Sequence, residues 1–108
     1  RQVLAKAGLE ARLMIDASHA NSGKNPDNQP AVIDDIAAQL EAGETRIIGV
    51  MVESNLVAGQ QSLVPGQSLV YGQSVTDGCI GWDTSVAVLE RLARAVRVRR
   101  AAAAAKAA

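Results

Sequence analysis

The chain has no phenylalanine, one tryptophan and one tyrosine among its 108 residues, so aromatic packing cannot build its interior. Any core has to come from Val, Ile, Leu, Met and Ala. A single cysteine, Cys79, excludes an internal disulfide and fits a reducing compartment. Basic and acidic residues number 11 each, leaving no net charge to draw nucleic acid or an anionic membrane surface. No apolar run approaches the roughly 18 residues that a membrane span requires, and no signal peptide is recognisable, so the expected location is cytoplasmic. Histidine occurs once, as His19. Against these absences stand a hydrophobic content of 48% and a mean hydropathy of +0.07, the composition of one soluble globular domain.

Residues 1–7 read as the last turns of a helix that Gly8 terminates. Residues 12–17 form a short, nearly continuous apolar run, the pattern of a strand buried on both faces. After a polar loop, Pro26 and Pro30 bracket a helix start. Val32, Ile33, Ile36, Ala37 and Leu40 then recur at helical spacing through residues 31–42, and Gly43 stops the helix. Residues 46–52, RIIGVMV, predict a second buried strand that ends abruptly at Glu53.

The long loop that follows holds a local repeat, GQQSLV, GQSLV and GQSV, which reads as loop decoration rather than as a repeat architecture. Within it, Pro65-Gly66 predicts a type II turn, with Leu63-Val64 and Ser68-Leu69 as the arms of a small hairpin. Asp83 or Thr84 can cap a last helix whose expected apolar stripe is Val86, Leu89, Leu92, Ala93 and Val96. The alanine-rich tail, residues 101–108, extends that helix or frays, and no function attaches to it.

Strands alternating with helices imply an α/β fold with a parallel sheet and right-handed crossovers. Two buried strands need neighbours on both sides and cover on both faces. The pattern is therefore that of βα units from a larger α/β protein, and a (β/α)₈ barrel needs roughly 250 residues. Unpaired strand edges predict that the isolated chain self-associates.

In parallel α/β folds the chemistry gathers on loops at the C-terminal ends of strands. His19 lies just past the first strand and Glu53 immediately past the second. The two strands are expected neighbours about 4.8 Å apart, so both side chains should emerge on one face. A third acidic residue, Asp77, ends the long loop in VTDGCIGW. One imidazole and two carboxylates suit a borderline divalent cation, Mn²⁺, Fe²⁺, Co²⁺ or Zn²⁺. The competing reading is a His–Glu hydrogen bond with Asp77 as a turn residue.

Other candidates are weaker. Gly23-Lys24 fails the phosphate-loop pattern, which needs glycine at position 18 and Ser or Thr at position 25, where Ser18 and Asn25 stand. Ser18-His19 is not expected to act as a nucleophile–base pair, because strand neighbours point to opposite faces. Cys79 reads as a packed thiol. Arg91, Arg94, Arg97, Arg99 and Arg100 read as a solvated helix terminus rather than a nucleic-acid surface.

Taken together, LMIDASHANSGKNP, GVMVESNLVAGQQSL, PGQSLVYGQSVTDGCIGW and LERLARAV resemble, in order and spacing, the C-terminal portion of the type I 3-deoxy-D-arabino-heptulosonate 7-phosphate (DAHP) synthases of bacteria and fungi. The combination of SHANS, a strand ending in VES, and TDxCIGW is highly specific. The resemblance implies a TIM barrel, with residues 1–100 supplying the end of helix 6, strands 7 and 8 and helices 7 and 8. It implies condensation of phosphoenolpyruvate with erythrose 4-phosphate, releasing phosphate, as the first step of the shikimate pathway. It also implies one divalent metal ion, held by one Cys, one His, one Glu and one Asp. By motif match the last three are His19, Glu53 and Asp77, with spacings of 34 (19 to 53) and 24 (53 to 77).

In that mechanism the metal polarises the aldehyde oxygen of erythrose 4-phosphate for attack by phosphoenolpyruvate. The family's ligand cysteine and its phosphate-binding Arg and Lys residues have no counterpart in these 108 residues. Cys79 matches the family's second cysteine, which is not read as a ligand, and Asn55 stands where relatives often carry histidine. The resemblance further implies a homo-oligomer at full length, with neither nucleic acid nor membrane as a partner. The 108 residues alone are expected to be inactive, and the alternative is a non-catalytic βα module that needs a partner chain.

Overall fold

Leu13–Asp16 and Ile47–Met51 form strands β1 and β2 of a parallel two-stranded sheet. The computed structural model describes residues 7–8 and 11–107, so most of the helix expected over residues 1–7 lies outside the described residues. Met14 sits beside Gly49, Ile15 beside Val50 and Asp16 beside Met51, so the two strands end level with each other. That register is what brings the loops after β1 and β2 to one edge.

Two 3₁₀ turns, His19–Ser22 and Pro26–Asn28, lead from β1 into helix α1, Gln29–Glu41. Pro30 falls in the first helical turn, where a missing N–H breaks no hydrogen bond. Ile33, Ile36, Ala37 and Leu40 face inward as their spacing predicts, joining Ala17, Ile47, Ile80, Val88 and Ala95 in one aliphatic core. Burial of each large aliphatic side chain contributes about 1.5–3 kcal/mol. Neither aromatic residue enters it, since Tyr71 and Trp82 are both exposed.

Helix α2, Trp82–Ala107, runs straight on through the alanine-rich tail. At 26 residues it is roughly 39 Å long. It begins at Trp82 rather than behind a cap at Asp83 or Thr84. Ser85 instead donates both its backbone N–H and its hydroxyl to the Gly81 carbonyl, at 2.9 and 2.7 Å. The buried face also differs from the expected stripe. Val88 and Ala95 are buried, with Leu92 and Val96 partly covered, whereas Val86, Leu89 and Ala93 are exposed. The buried face also carries Arg91, which pairs with Glu41 and Asp34 of α1. Arg99 donates to the Glu44 carbonyl at 2.8 Å, so these two arginines tie α2 to α1 and its following turn rather than merely solvating a helix end.

The strands are not buried on both faces. The helices cover one side only, and Met14 (66% exposed) and Ile48 (64%) open on the other. Between Glu53 and α2, the expected turn at Pro65-Gly66 forms, with Gly66 at φ +82° and Gln67 donating to the Val64 carbonyl at 3.2 Å. The expected hairpin arms do not pair. The Gln61 side chain takes the place of a partner strand, bonding the N–H and carbonyl of Val70 and the carbonyl of Gln73. Among the described residues no helix is long and apolar enough to cross a membrane.

Candidate metal centre

Past Asp16 the chain leaves strand geometry. His19 opens the first 3₁₀ turn at φ +50°, a left-handed conformation uncommon outside glycine. Gly23, also left-handed, closes that turn, and Lys24 donates its N–H to the His19 carbonyl at 2.7 Å. The Asp16 carboxylate organises the segment. It accepts the Ser18 N–H at 2.8 Å, the Ser18 hydroxyl, and the His19 ring at Nδ1 (2.8 Å from Oδ2).

Ser18 Oγ also lies 2.8 Å from His19 Nδ1, contrary to the expectation that these neighbours diverge. The alternation that separates adjacent side chains holds in a strand, and this pair sits in a turn. Nδ1 therefore lies within hydrogen-bond distance of two oxygens, Ser18 Oγ and Asp16 Oδ2, both at 2.8 Å. Nε2, on the far side of the ring, points away from Asp16.

What Nε2 points toward is acidic. Glu53 Oε1 is 3.7 Å away and Asp77 Oδ2 is 3.5 Å away. Glu53 stands two residues beyond β2, as its sequence position predicts. Asp77 arrives from the far end of the long loop. Cys79 and Gly59 exchange N–H···O bonds at 2.8 and 3.1 Å, while Ile80 donates to the Glu53 carbonyl at 3.0 Å, so the loop returns beside the end of β2. One donor atom from each of His19, Glu53 and Asp77 lies within 4.8 Å of the others. They line a cleft of about 350 Å³ with Ser22, Lys24, Pro26, Gln60 and Gly78. Glu53 is the most enclosed of the three, with a side chain 22% exposed.

The electrostatics favour a cation. The hydrogen bond to Asp16, then the charge of Glu53, raise the His19 pKa above its ordinary value. Hydrogen bonds from Ser18 and His19 hold the Asp16 carboxyl below the usual range. A chain without net charge therefore concentrates three carboxylates around one imidazole. Donors bound at about 2.0–2.2 Å in tetrahedral geometry stand about 3.4 Å apart, close to the 3.5 and 3.7 Å found around Nε2. Two of the three donor separations thus match that spacing, the whole set lies within 4.8 Å, and one imidazole nitrogen with two carboxylate oxygens suits a borderline divalent ion in chemistry.

Cys79 is buried and remains outside the cluster, a packed thiol whose pKa burial raises. Lys24 lines the cleft as a single exposed cation, without a phosphate-loop backbone around it. Sequence reasoning gives no role to Asp16, Ser18 or Gln29. Asp16 had a usable signal, an acidic residue closing an apolar run three positions before the only histidine. Gln29 had none, because its partner lies 24 residues away.

The model of the DAHP synthetase I family matches residues 2–90. The Phe-sensitive phospho-2-dehydro-3-deoxyheptonate aldolase of Escherichia coli is 54% identical over 100 residues, covering 93% of this chain and 29% of that protein. The phospho-2-dehydro-3-deoxyheptonate aldolase of Corynebacterium glutamicum is 54% identical over 108 residues, covering 94% of this chain and 30% of that one. The solved structure of phospho-2-dehydro-3-deoxyheptonate aldolase from Francisella tularensis is similar at a TM-score of 0.83 and 48% identity, across 89% of this chain and 28% of that chain. This chain spans less than a third of the length of the curated relatives it matches. Within that span, the chain belongs to the DAHP synthetase I family.

Proposed function

We propose that this chain supplies three ligands of the divalent metal in a DAHP synthase, namely His19, Glu53 and Asp77. The observation that carries the reading is their convergence within 4.8 Å from three separate segments, at an edge where two parallel strands end level. Residues 1–100 then correspond to the end of helix 6, strands 7 and 8 and helices 7 and 8 of a (β/α)₈ barrel, and residues 101–107 to an extension of the last helix. The reaction is the condensation of phosphoenolpyruvate with erythrose 4-phosphate, giving DAHP and phosphate, in a cytoplasmic enzyme that assembles as a homo-oligomer.

When bound, a divalent cation supplies a Lewis acid to a substrate carbonyl oxygen. The chain's own part is placement. When the ring is neutral, Asp16 favours the proton on Nδ1, which directs the Nε2 lone pair toward Glu53 and Asp77. Glu53 and Asp77 bring the negative charge that retains a dication. Ligands at strand ends are fixed by the sheet, whereas Asp77 depends on how the long loop is folded.

A chimera tests the reading. This chain replaces the matching segment of the Escherichia coli relative, and formation of DAHP is followed with Mn²⁺ present. Activity in the chimera and its loss, by a factor of at least about 100, in the His19→Ala form are expected. A folded chimera that binds Mn²⁺ but forms no DAHP sinks the enzymatic assignment. Equal Mn²⁺ binding with and without His19 sinks the ligand assignment.

A further inference from the structure

Gln29 is the first residue of α1 and is wholly buried. A buried carboxamide is unfavourable unless its groups find partners, and here both sides are spent on the backbone of one residue. Gln29 Oε1 accepts the Glu53 N–H at 2.7 Å, and Gln29 Nε2 donates to the Glu53 carbonyl at 2.9 Å. The pair has the form of one rung of a β-ladder, built by a side chain at the point where β2 has ended. Ile80 also donates to the Glu53 carbonyl, at 3.0 Å. The backbone of residue 53 is therefore held on both sides while its carboxylate makes no hydrogen bond of its own among the described residues.

The short segment that carries Gln29 also touches the other two donors' surroundings. Asn28 Nδ2 donates to the Ser22 carbonyl at 3.0 Å, in the turn that His19 opens. The Pro26 ring lies against Gly78, next to Asp77, closely enough that a Cβ added there would stand 2.9 Å from Pro26 Cγ. Residues 26–29 thus meet the β1 turn, the end of β2 and the returning loop at once.

We infer that Gln29 is a positioning residue of the metal centre, fixing the direction of the Glu53 carboxylate through its backbone. This rests on the reading of His19, Glu53 and Asp77 as ligands. Its logic is that of outer partners in metal sites, whose loss weakens metal affinity by about 10- to 100-fold even though they never touch the ion. A side chain that merely satisfied a strand end would affect folding and leave affinity alone.

The test compares Mn²⁺ affinity, by competition titration of the full chain, with thermal stability measured without metal. Gln29→Met keeps length and burial but removes both hydrogen bonds, and Gln29→Glu keeps the acceptor for the Glu53 N–H. Ile33→Val, on the core face of the same helix, serves as a packing control. We expect Gln29→Met to bind Mn²⁺ at least 10-fold more weakly, Gln29→Glu to fall between it and the unsubstituted chain, and Ile33→Val to melt earlier at unchanged affinity. Should Gln29→Met fail to fold, Gln29→Glu decides on the same criterion. Unchanged affinity in a folded Gln29 variant, or an equal loss in Ile33→Val, overturns this inference alone. No Mn²⁺ binding by the unsubstituted chain overturns it together with the reading it rests on.

Discussion

His19 is constrained at both its backbone and its imidazole ring. Its backbone is held in a left-handed turn and its Nδ1 is anchored to Asp16, so a single nitrogen remains available. Replacing Asp16 with asparagine keeps an acceptor near Nδ1 but removes the charge that fixes the tautomer. Asp16→Asn is expected to weaken Mn²⁺ binding by about 10-fold, and Asp16→Ala by nearer 100-fold. Competition titration measures the loss, and ring ¹⁵N shifts report a mixed tautomer in the metal-free variant. A variant with unaltered affinity and a pure Nδ1–H tautomer would mean that the turn alone orients the ring. At this scale the convergence of His19, Glu53 and Asp77 was legible from their places at strand and loop ends, whereas the ligand reading came from the resemblance of their motifs. Their supports were not legible, since hydrogen-bond partners across 24 residues leave no periodic trace.

Taken element by element, the two strands and α1 follow from their apolar patterns to within a few residues, because each is marked by a local apolar pattern bounded by polar or turn residues. Helix α2 departs from its expected face. The face it buries carries Arg91, which pairs with α1, and such a contact between helices cannot be supplied by reading one helix by itself. The long loop departs for a related reason. Its turn chemistry is local and readable, whereas the glutamine side chains that replace a strand ladder are not. Asp77 lies at the end of this loop, so loop order and metal occupancy should be coupled. Limited proteolysis within residues 59–78 is expected to slow by at least about threefold when Mn²⁺ is added, and to remain fast in Asp77→Ala. Equal cleavage rates with and without Mn²⁺ would show the loop to be held by its own hydrogen bonds.

Across the whole molecule, the radius of gyration of 17.3 Å exceeds the roughly 13 Å of a compact domain of this length. The sheet has helices on one face only, and its outer strand edges are unpaired among the described residues. Apolar side chains open on the bare face, Met14 and Ile48 foremost. Such a surface associates, so sedimentation of the purified 108-residue chain should show oligomers at micromolar concentration. Met14→Lys with Ile48→Lys is expected to shift the population toward monomer. A monomeric, cooperatively unfolding chain without those changes would refute the need for further cover. The need for cover was readable from two strands that lacked neighbours, but which face stayed bare was set by where the helices landed.

The level ends of β1 and β2 also have an entropic consequence. A cation meeting the unfolded chain would have to close segments of 34 and 24 residues (19 to 53, 53 to 77) to gather all three donors. Closing each loop costs about 3 kcal/mol in its length-dependent part. In the folded chain the sheet and the returning loop have already met that cost. Any ligand that needs all three side chains therefore discriminates between the two states by about four orders of magnitude, and acts as a reversible cross-link on the native topology.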